Sequence, residues 1–319
     1  NLQHEIFPNT LLSVGYVGSQ GAHLLRRGDV NLVLPQTVDG RLFFPEDSRR
    51  QNPNFGAVTL IRSDGQSSYH ALQISLRKRF SQSFSLNASY AWSRSIDEGS
   101  TQILAFDAGG GAGNVFNPFD SSSERGLSDF HMQHRFLVDY SIDLPSPESG
   151  PTWMRHLFRG WGLNGIINLT SGQPFDVFLS SNRSRSQFGS VVSSGQGVDR
   201  PNLAAGRTHE DAILGGPDRY FDPSAFELQP AGFYGNLGRN SLIGPGFANL
   251  DLALVNRRAL PAWGREIGIQ FRLEVFNLFN HPNFGFPDRV VFAGPTAGLI
   301  RPPTVLFSRQ LQIALKVTF

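Results

Sequence analysis

Along the closing segment "QLQIALKVTF", Leu311, Ile313, Leu315, Val317 and Phe319 take every odd position, while Gln310, Gln312, Lys316 and Thr318 take even ones around a small Ala314. Successive side chains of a β-strand point to opposite faces, so this segment predicts a strand with one apolar and one mostly polar face. The same period recurs in runs of about 9–11 residues, the length a tilted strand needs to cross a bilayer. "YHALQISLRKRF" sets Leu72, Ile74, Leu76 and Phe80 against Gln73, Ser75, Arg77 and Arg79. "FSLNASYAWS" sets Phe84, Leu86, Ala88, Tyr90 and Trp92 against Ser85, Asn87 and Ser89, and the two runs read as a hairpin turning at Ser81 to Ser83. The period returns in "TLLSVGYVG" (Leu12, Val14, Tyr16), "HRFLVDYSIDL" (Phe136, Val138, Tyr140, Ile142) and "WGLNGIINLTS" (Leu163, Ile167, Leu169). It returns again in "LDLALVNR" (Leu250, Leu252, Leu254) and in "REIGIQFRLEVFN" (Ile267, Ile269, Phe271, Leu273, Val275). Residues 1–7 read as the tail of an earlier strand.

Taken as 10–18, 69–80, 84–95, 134–144, 161–171, 248–257, 265–277 and 309–319, these strands leave connections of about 50, 3, 38, 16, 76, 7 and 31 residues. Long and short alternate, as the extracellular loops and periplasmic turns of outer-membrane barrels do, which puts Phe319 at the periplasmic rim. Parity then places "FGAVTLIRS" (55–63) inside the first extracellular loop as a hairpin arm. Phe84 and Trp92, eight residues apart on one face, stand roughly 20 Å apart along the membrane normal at a tilt near 40°, close to the spacing of the aromatic girdles. A water-soluble sandwich with one buried face shares the alternation and remains the rival architecture.

Composition narrows the field. Charged residues are 17%, with 34 Gly and 20 Pro in 319 residues, so turns are many and long helices few. Lys plus Arg number 28 against 26 acids, a net charge of +2 that gives no electrostatic basis for a nucleic-acid partner. There are no cysteines, so disulfides and thiolate metal sites are excluded. No run approaches 18 apolar residues, which excludes a spanning helix and leaves a closed barrel as the route across a bilayer. No secretory signal pattern opens the chain, and its first residue, Asn1, leads us to expect a piece of a longer protein.

"SVGYVGSQGAHL", "YHALQISLRKRF", "ASYAWSRSID", "GNLGRNSLIGPGFANLDLAL" and "FRLEVFNLFNHPNFG", closing on "LQIALKVTF", together resemble the C-terminal barrel portion of TonB-dependent receptors, in particular the Oar-like group. The resemblance implies an all-β, antiparallel transmembrane β-barrel in the bacterial outer membrane. Residues 1–319 would be the C-terminal eight to nine strands of a 22-stranded barrel, with the plug domain and N-terminal strands absent from this chain. It further implies uptake of an unknown extracellular ligand, driven by the TonB system through the absent N-terminal region, with no cofactor and no catalysis. Leu311, Ile313, Leu315, Val317 and Phe319 match the terminal signal read by the barrel assembly machinery. Outer-membrane lipid is the remaining expected partner. A self-contained passive or adhesive barrel of eight strands is the alternative, since eight strands suffice to close. An outer-membrane enzyme would need His, Ser and Asp clustered at one rim, which these strand registers do not produce.

Other candidate chemistry is sparse. His131 and His134 lie three apart at a strand entry without further ligands, and read as local polarity rather than a metal site. Gly109 to Gly113 lacks the Lys-Ser/Thr of a phosphate loop and reads as an external loop. Asp97 and Glu98 form a candidate cation pair at an outer strand end. Asn182 to Ser184 fits a glycosylation sequon that has little meaning in a bacterial envelope. Arg272 and Glu274 alternate with lipid-facing residues and so should face the lumen, where they either contact a ligand or the plug or, as such residues more often do, form a salt-bridge ladder on the barrel wall. Lys78 falls in the lipid-facing register by a periplasmic turn, where its stem can snorkel. "PTWMRHLFRG" (151–160) reads either as an amphipathic helical turn with Trp153 and Leu157 as surface anchors or as a plain connector. The segment 172–247 is the most promising binding element, partly ordered through "FDPSAF" and "GNLGRNSLIGPG".

Overall fold

Every one of these alternating runs is a strand in the computed structural model, which describes residues 1–79, 83–100, 119–146, 149, 151–187, 199–262, 265–301 and 304–319. In chain order the strands of the main sheet are β1 (Leu2–Phe7), β2 (Thr10–Asp29), β3 (Thr59–Lys78), β4 (Phe84–Asp97) and β5 (His134–Asp143). They continue with β6 (Trp161–Thr170), β7 (Phe247–Ala262), β8 (Arg265–Phe276) and β9 (Gln310–Thr318). Each pairs antiparallel with its neighbour in sequence. A two-residue strand, Gly126–Leu127, adds to the end of β4 and makes the sheet ten-stranded. The sheet is open, with β1 and β9 at its two edges.

Register keeps apolar residues in line with apolar residues. One row runs Leu86, Tyr140, Gly165, Leu252, Val275, Leu311 across six strands. The row also measures the strand tilt. Leu86 lies two residues above the periplasmic end of its apolar run at Phe84, whereas Leu311 lies eight above Phe319, a slip of 8 − 2 = 6 residues over five strand steps. At about 3.4 Å per residue and about 4.8 Å between strands, a level apolar band therefore requires a tilt of about 40°, within the range of outer-membrane barrels.

The rival sandwich is ruled out by what covers the apolar face. Leu311, Ile313 and Leu315 are 67–70% exposed, and among the described residues no second sheet packs on them. The hydrophobic core instead lies in the extracellular connections.

Within the segment expected as a hairpin arm of the first extracellular loop, residues 59–63 do form such an arm by pairing with Leu25–Asp29, but it is continuous with the wall: it is the start of β3 and the end of β2, so both strands run well past the membrane. Polar residues 63–68, "SDGQSS", break the apolar period there, and the two strands pair again beyond a local irregularity, because outside hydrocarbon no apolar face is required. Register shifts between Gly21 and Leu25 hide the alternation on the partner strand. Residues 1–7 form the strand expected of them, turning into β2 at Asn9, whose φ of 61° suits asparagine and whose N–H donates to Glu5 Oε1. The 151–160 segment contains a helix, α1 (Thr152–Phe158), at the periplasmic β5–β6 connection, with Trp153 and Leu157 exposed. Gly160 follows it at φ 76°, where a Cβ would meet Arg257 O at 2.5 Å, so the turn lies tight on β7.

Candidate functional site

The described parts of four extracellular connections, 30–58, 119–133, 172–187 with 199–246, and 277–301 with 304–309, fold together into one cap. Its core joins Phe175, Val177, Leu179, Tyr220, Phe221, Phe226, Leu237 and Leu242 from the third connection to Val291, Ala297 and Ile300 from the fourth. Phe178–Leu179 pairs in parallel with Val290–Val291, and Tyr220 N–H donates to Gly298 O at 2.7 Å. "FDPSAF" forms a short 3-10 turn, Pro223–Ala225, whose cap Asp222 accepts from Ser224 N–H and from Arg207. The Ser224 hydroxyl and then the Arg207 cation hold the Asp222 carboxyl below its ordinary range. The first connection joins through Phe44, fully buried with its ring edge-on to Tyr234 at 5.3 Å, and through Arg50, which pairs with Asp29 and reaches Gln187 O. Asn31 gathers its own loop by donating to Asn52, Phe55 and Gly56 carbonyls, each at 2.9 Å.

Arg239, inside "GNLGRNSLIGPG", is the hub that fastens the cap to the barrel wall. Its guanidinium pairs with the Asp97 carboxylate and donates to Asp97 O at 2.9 Å, while its Nε donates to Glu124 O at 2.8 Å. Asp97 belongs to the face of β4 that also carries Ser93 and Ser95, which bind Met132 O and Ser128 Oγ. The cap is thus fixed to the lumen-facing side of the strand ends. Beside Arg239, Asn240 bridges Leu127 O and Asp129, and its backbone N–H holds the carboxyl of Asp176. Arg200 and Glu124 form another buried ion pair at 2.5 Å. Burial pushes the carboxyls of Asp176 and Asp199 upward, and the Tyr220 hydroxyl up to about 12. Where the third connection leaves β6, a Cβ on Gly172 would meet Gly244 O at 1.7 Å, so only glycine lets the two ends of that connection cross.

Below the cap, the inner face of β1–β5 is polar. A cavity of about 670 Å³ lies against it, lined by Gln73, Ser75, Arg77, Asn87, Arg135 and Asp139 among others. Asn87 donates to Asp139 across this face at 2.8 Å.

Several candidates resolve into structural roles. Asp97 is consumed by Arg239, and Glu98 accepts from Gln66 N–H, so they do not form a shared cation pair. His131 is buried with Nδ1 accepting from Ser95 N–H, and burial, then the nearby Arg94 cation, lowers its pKa. His134 instead bonds Tyr90 on the outer face, which separates the two histidines. Among the described residues no group of His, Cys, Asp and Glu is placed to hold a metal. Ser184 of the sequon is buried, donating to Asp199. Arg272 and Glu274 form the expected ion pair at 2.6 Å. Lys78 stands in the outward register beside Leu86 and Thr10. Leu311, Ile313, Leu315, Val317 and Phe319 share the exposed apolar face of the edge strand. Gly109 to Gly113 lies outside the described residues. Nothing in the sequence signalled Arg239's role or the fourth connection's share of the core; the stretch around Arg239 stood out as a turn signal and as part of the family resemblance, not as a charged anchor.

Tilted antiparallel strands with an apolar outer face, a polar inner face and long connections on one side define the wall of a transmembrane β-barrel. The chain belongs to the outer membrane beta barrel domain family, whose model matches residues 1–312, and it is an outer-membrane protein. Among solved structures it is similar to the outer membrane transporter YddB from Escherichia coli, at 9% identity and a TM-score of 0.46. That match covers 99% of this chain and 31% of the transporter, so the chain spans about a third of its length. No curated protein matches the chain.

Proposed function

We propose that this chain is the C-terminal part of the barrel of a TonB-dependent receptor of the Oar-like group, and that its cap takes part in capturing a ligand for import. The cap carries this reading. A diffusion pore has little use for two connections packed around one core, two more tied to them by Phe44 and by Glu124, and all pinned by Arg239 to the lumen side of the wall. A receptor needs such a preorganised surface, because ordering loops on binding would cost affinity. The open edges of β1 and β9 add support, since an unpaired backbone group in hydrocarbon costs several kcal/mol and further strands must complete the ring. The polar inner face then looks onto a lumen filled by a plug, and TonB shifts that plug. Catalysis and cofactors have no part in this reading.

The test is electrical and biochemical together. The intact protein, purified from outer membranes, is placed in planar lipid bilayers and offered the periplasmic domain of TonB. A receptor stays electrically silent and binds TonB. Steady conductance without TonB binding would sink the proposal and favour the passive barrel.

A further inference from the structure

Three adjacent strands place one arginine and two histidines on the lipid-facing side at their extracellular ends. Arg94 on β4 stands directly beside His70 on β3, and Trp92, two residues below Arg94, stands beside His134 on β5. Arg94, His70 and His134 are all exposed. The two histidines are held alike. His70 Nδ1 meets the Tyr16 hydroxyl at 2.5 Å and His134 Nδ1 meets that of Tyr90 at 2.8 Å, each pair stacked with ring centroids 6.1 Å apart. With the hydroxyl donating to Nδ1, the ring proton sits on Nε2 and is free to donate outward.

The tilt sets their height. Arg94 is 94 − 84 = 10 residues above Phe84, which places it about 26 Å up the membrane normal, at the top of an apolar band of about 25 Å. Each cross-strand row climbs about 3 Å per strand from β3 toward β9 at this tilt. His70 therefore stands about 3 Å below Arg94, and His134 about 2 Å below it. Three donors from three strands thus reach one level, the level of the headgroups, flanked by Trp92 and Tyr16, which are 53% and 67% exposed. Glu98, four residues beyond Arg94, is engaged by Gln66 N–H.

We propose that Arg94, His70 and His134 form a binding site for the phosphate of an anionic lipid headgroup in the outer leaflet. Arg94 supplies the cation, the two Nε2–H groups supply directed donors, and the Tyr hydroxyls fix the rings. Phosphate favours this combination, because charge-assisted hydrogen bonds are about twice as strong as neutral ones. The site lies on the opposite face of the wall from the lumen and is independent of ligand import.

The intact protein in nanodiscs of phosphatidylcholine doped with a phosphorylated glycolipid, or with its dephosphorylated form, provides the test, with retained glycolipid counted by native mass spectrometry. Wild type is expected to retain the phosphorylated form selectively. The Arg94→Gln, His70→Gln, His134→Gln triple variant should lose roughly fivefold of that retention. Tyr16→Phe with Tyr90→Phe, which keeps the rings and removes only the hydroxyls, should lose a smaller part. Folding of each variant is checked by heat-modifiable migration on gels. Equal retention of both glycolipids by wild type, or unchanged retention in a folded triple variant, would overturn the site.

Discussion

Arg239 shows how much one side chain can decide. Its guanidinium and the Asp97 carboxylate are both nearly inaccessible, with 8% and 6% of their side chains exposed. Removing one partner strands the other charge, and such losses in buried pairs cost about 3–5 kcal/mol. Arg239→Ala is therefore expected to free the cap from the wall and destabilise it by about 3 kcal/mol, while leaving the strands inserted. Limited proteolysis of intact cells checks this. Cleavage within 199–246 should accelerate sharply in the variant, with heat-modifiability of the barrel unchanged, and equal cleavage would remove Arg239 from its role as hub. Asp97 was visible in the sequence as a strand-end acid. Its partner lies 142 positions away, beyond the reach of any spacing rule.

At the scale of the element, a single strand carries two chemistries in alternate residues, and β8 separates them cleanly. Phe271 pairs with Leu315 and Asn256 in the outward register, while Arg272 and Glu274 bond each other on the inner face. Phe271 lies at the centre of the outward run from Ile267 to Val275, near the bilayer midplane. Phe271→Arg is expected to cost about 2–4 kcal/mol, as charges on the lipid face at that depth do, whereas Gln270→Arg should be close to neutral. Equilibrium unfolding in lipid vesicles distinguishes them, and equal costs for the two would invalidate the facing. The β2–β3 arm teaches a complementary point. Its ladder continues past the membrane without an apolar period, held by backbone pairing and by pairs such as Arg26 with Asp64 at 2.8 Å.

For the whole molecule, the consequence of an open sheet is assembly. The free edge of β9 offers a ladder of backbone groups for pairing, and its outward side chains end on Phe319, 92% exposed. From the family resemblance we propose that this strand carries the signal for insertion. Deleting Phe319 from the intact protein, or replacing Leu311, Ile313, Leu315 and Val317 with serine, is expected to lower the amount in the outer membrane several-fold. Fractionation with a heat-modifiability assay reads the result. Normal accumulation of both variants would take the signal away from these residues.

The membrane-crossing parts of the strands and the faces they present were determined by the sequence, because lipid contact forces a two-residue period that needs no knowledge of distant residues, whereas the extension of β2 and β3 beyond the bilayer was not. Tilt followed once the register aligned those faces. Only the tertiary structure decided that the cap has a core of its own, that Val291 and Ile300 complete it, and that Arg239 ties it to Asp97. Connections outside the bilayer are under no periodic constraint, and their order comes from contacts between segments far apart in the chain. That is the reason the wall was legible in advance and the cap was not.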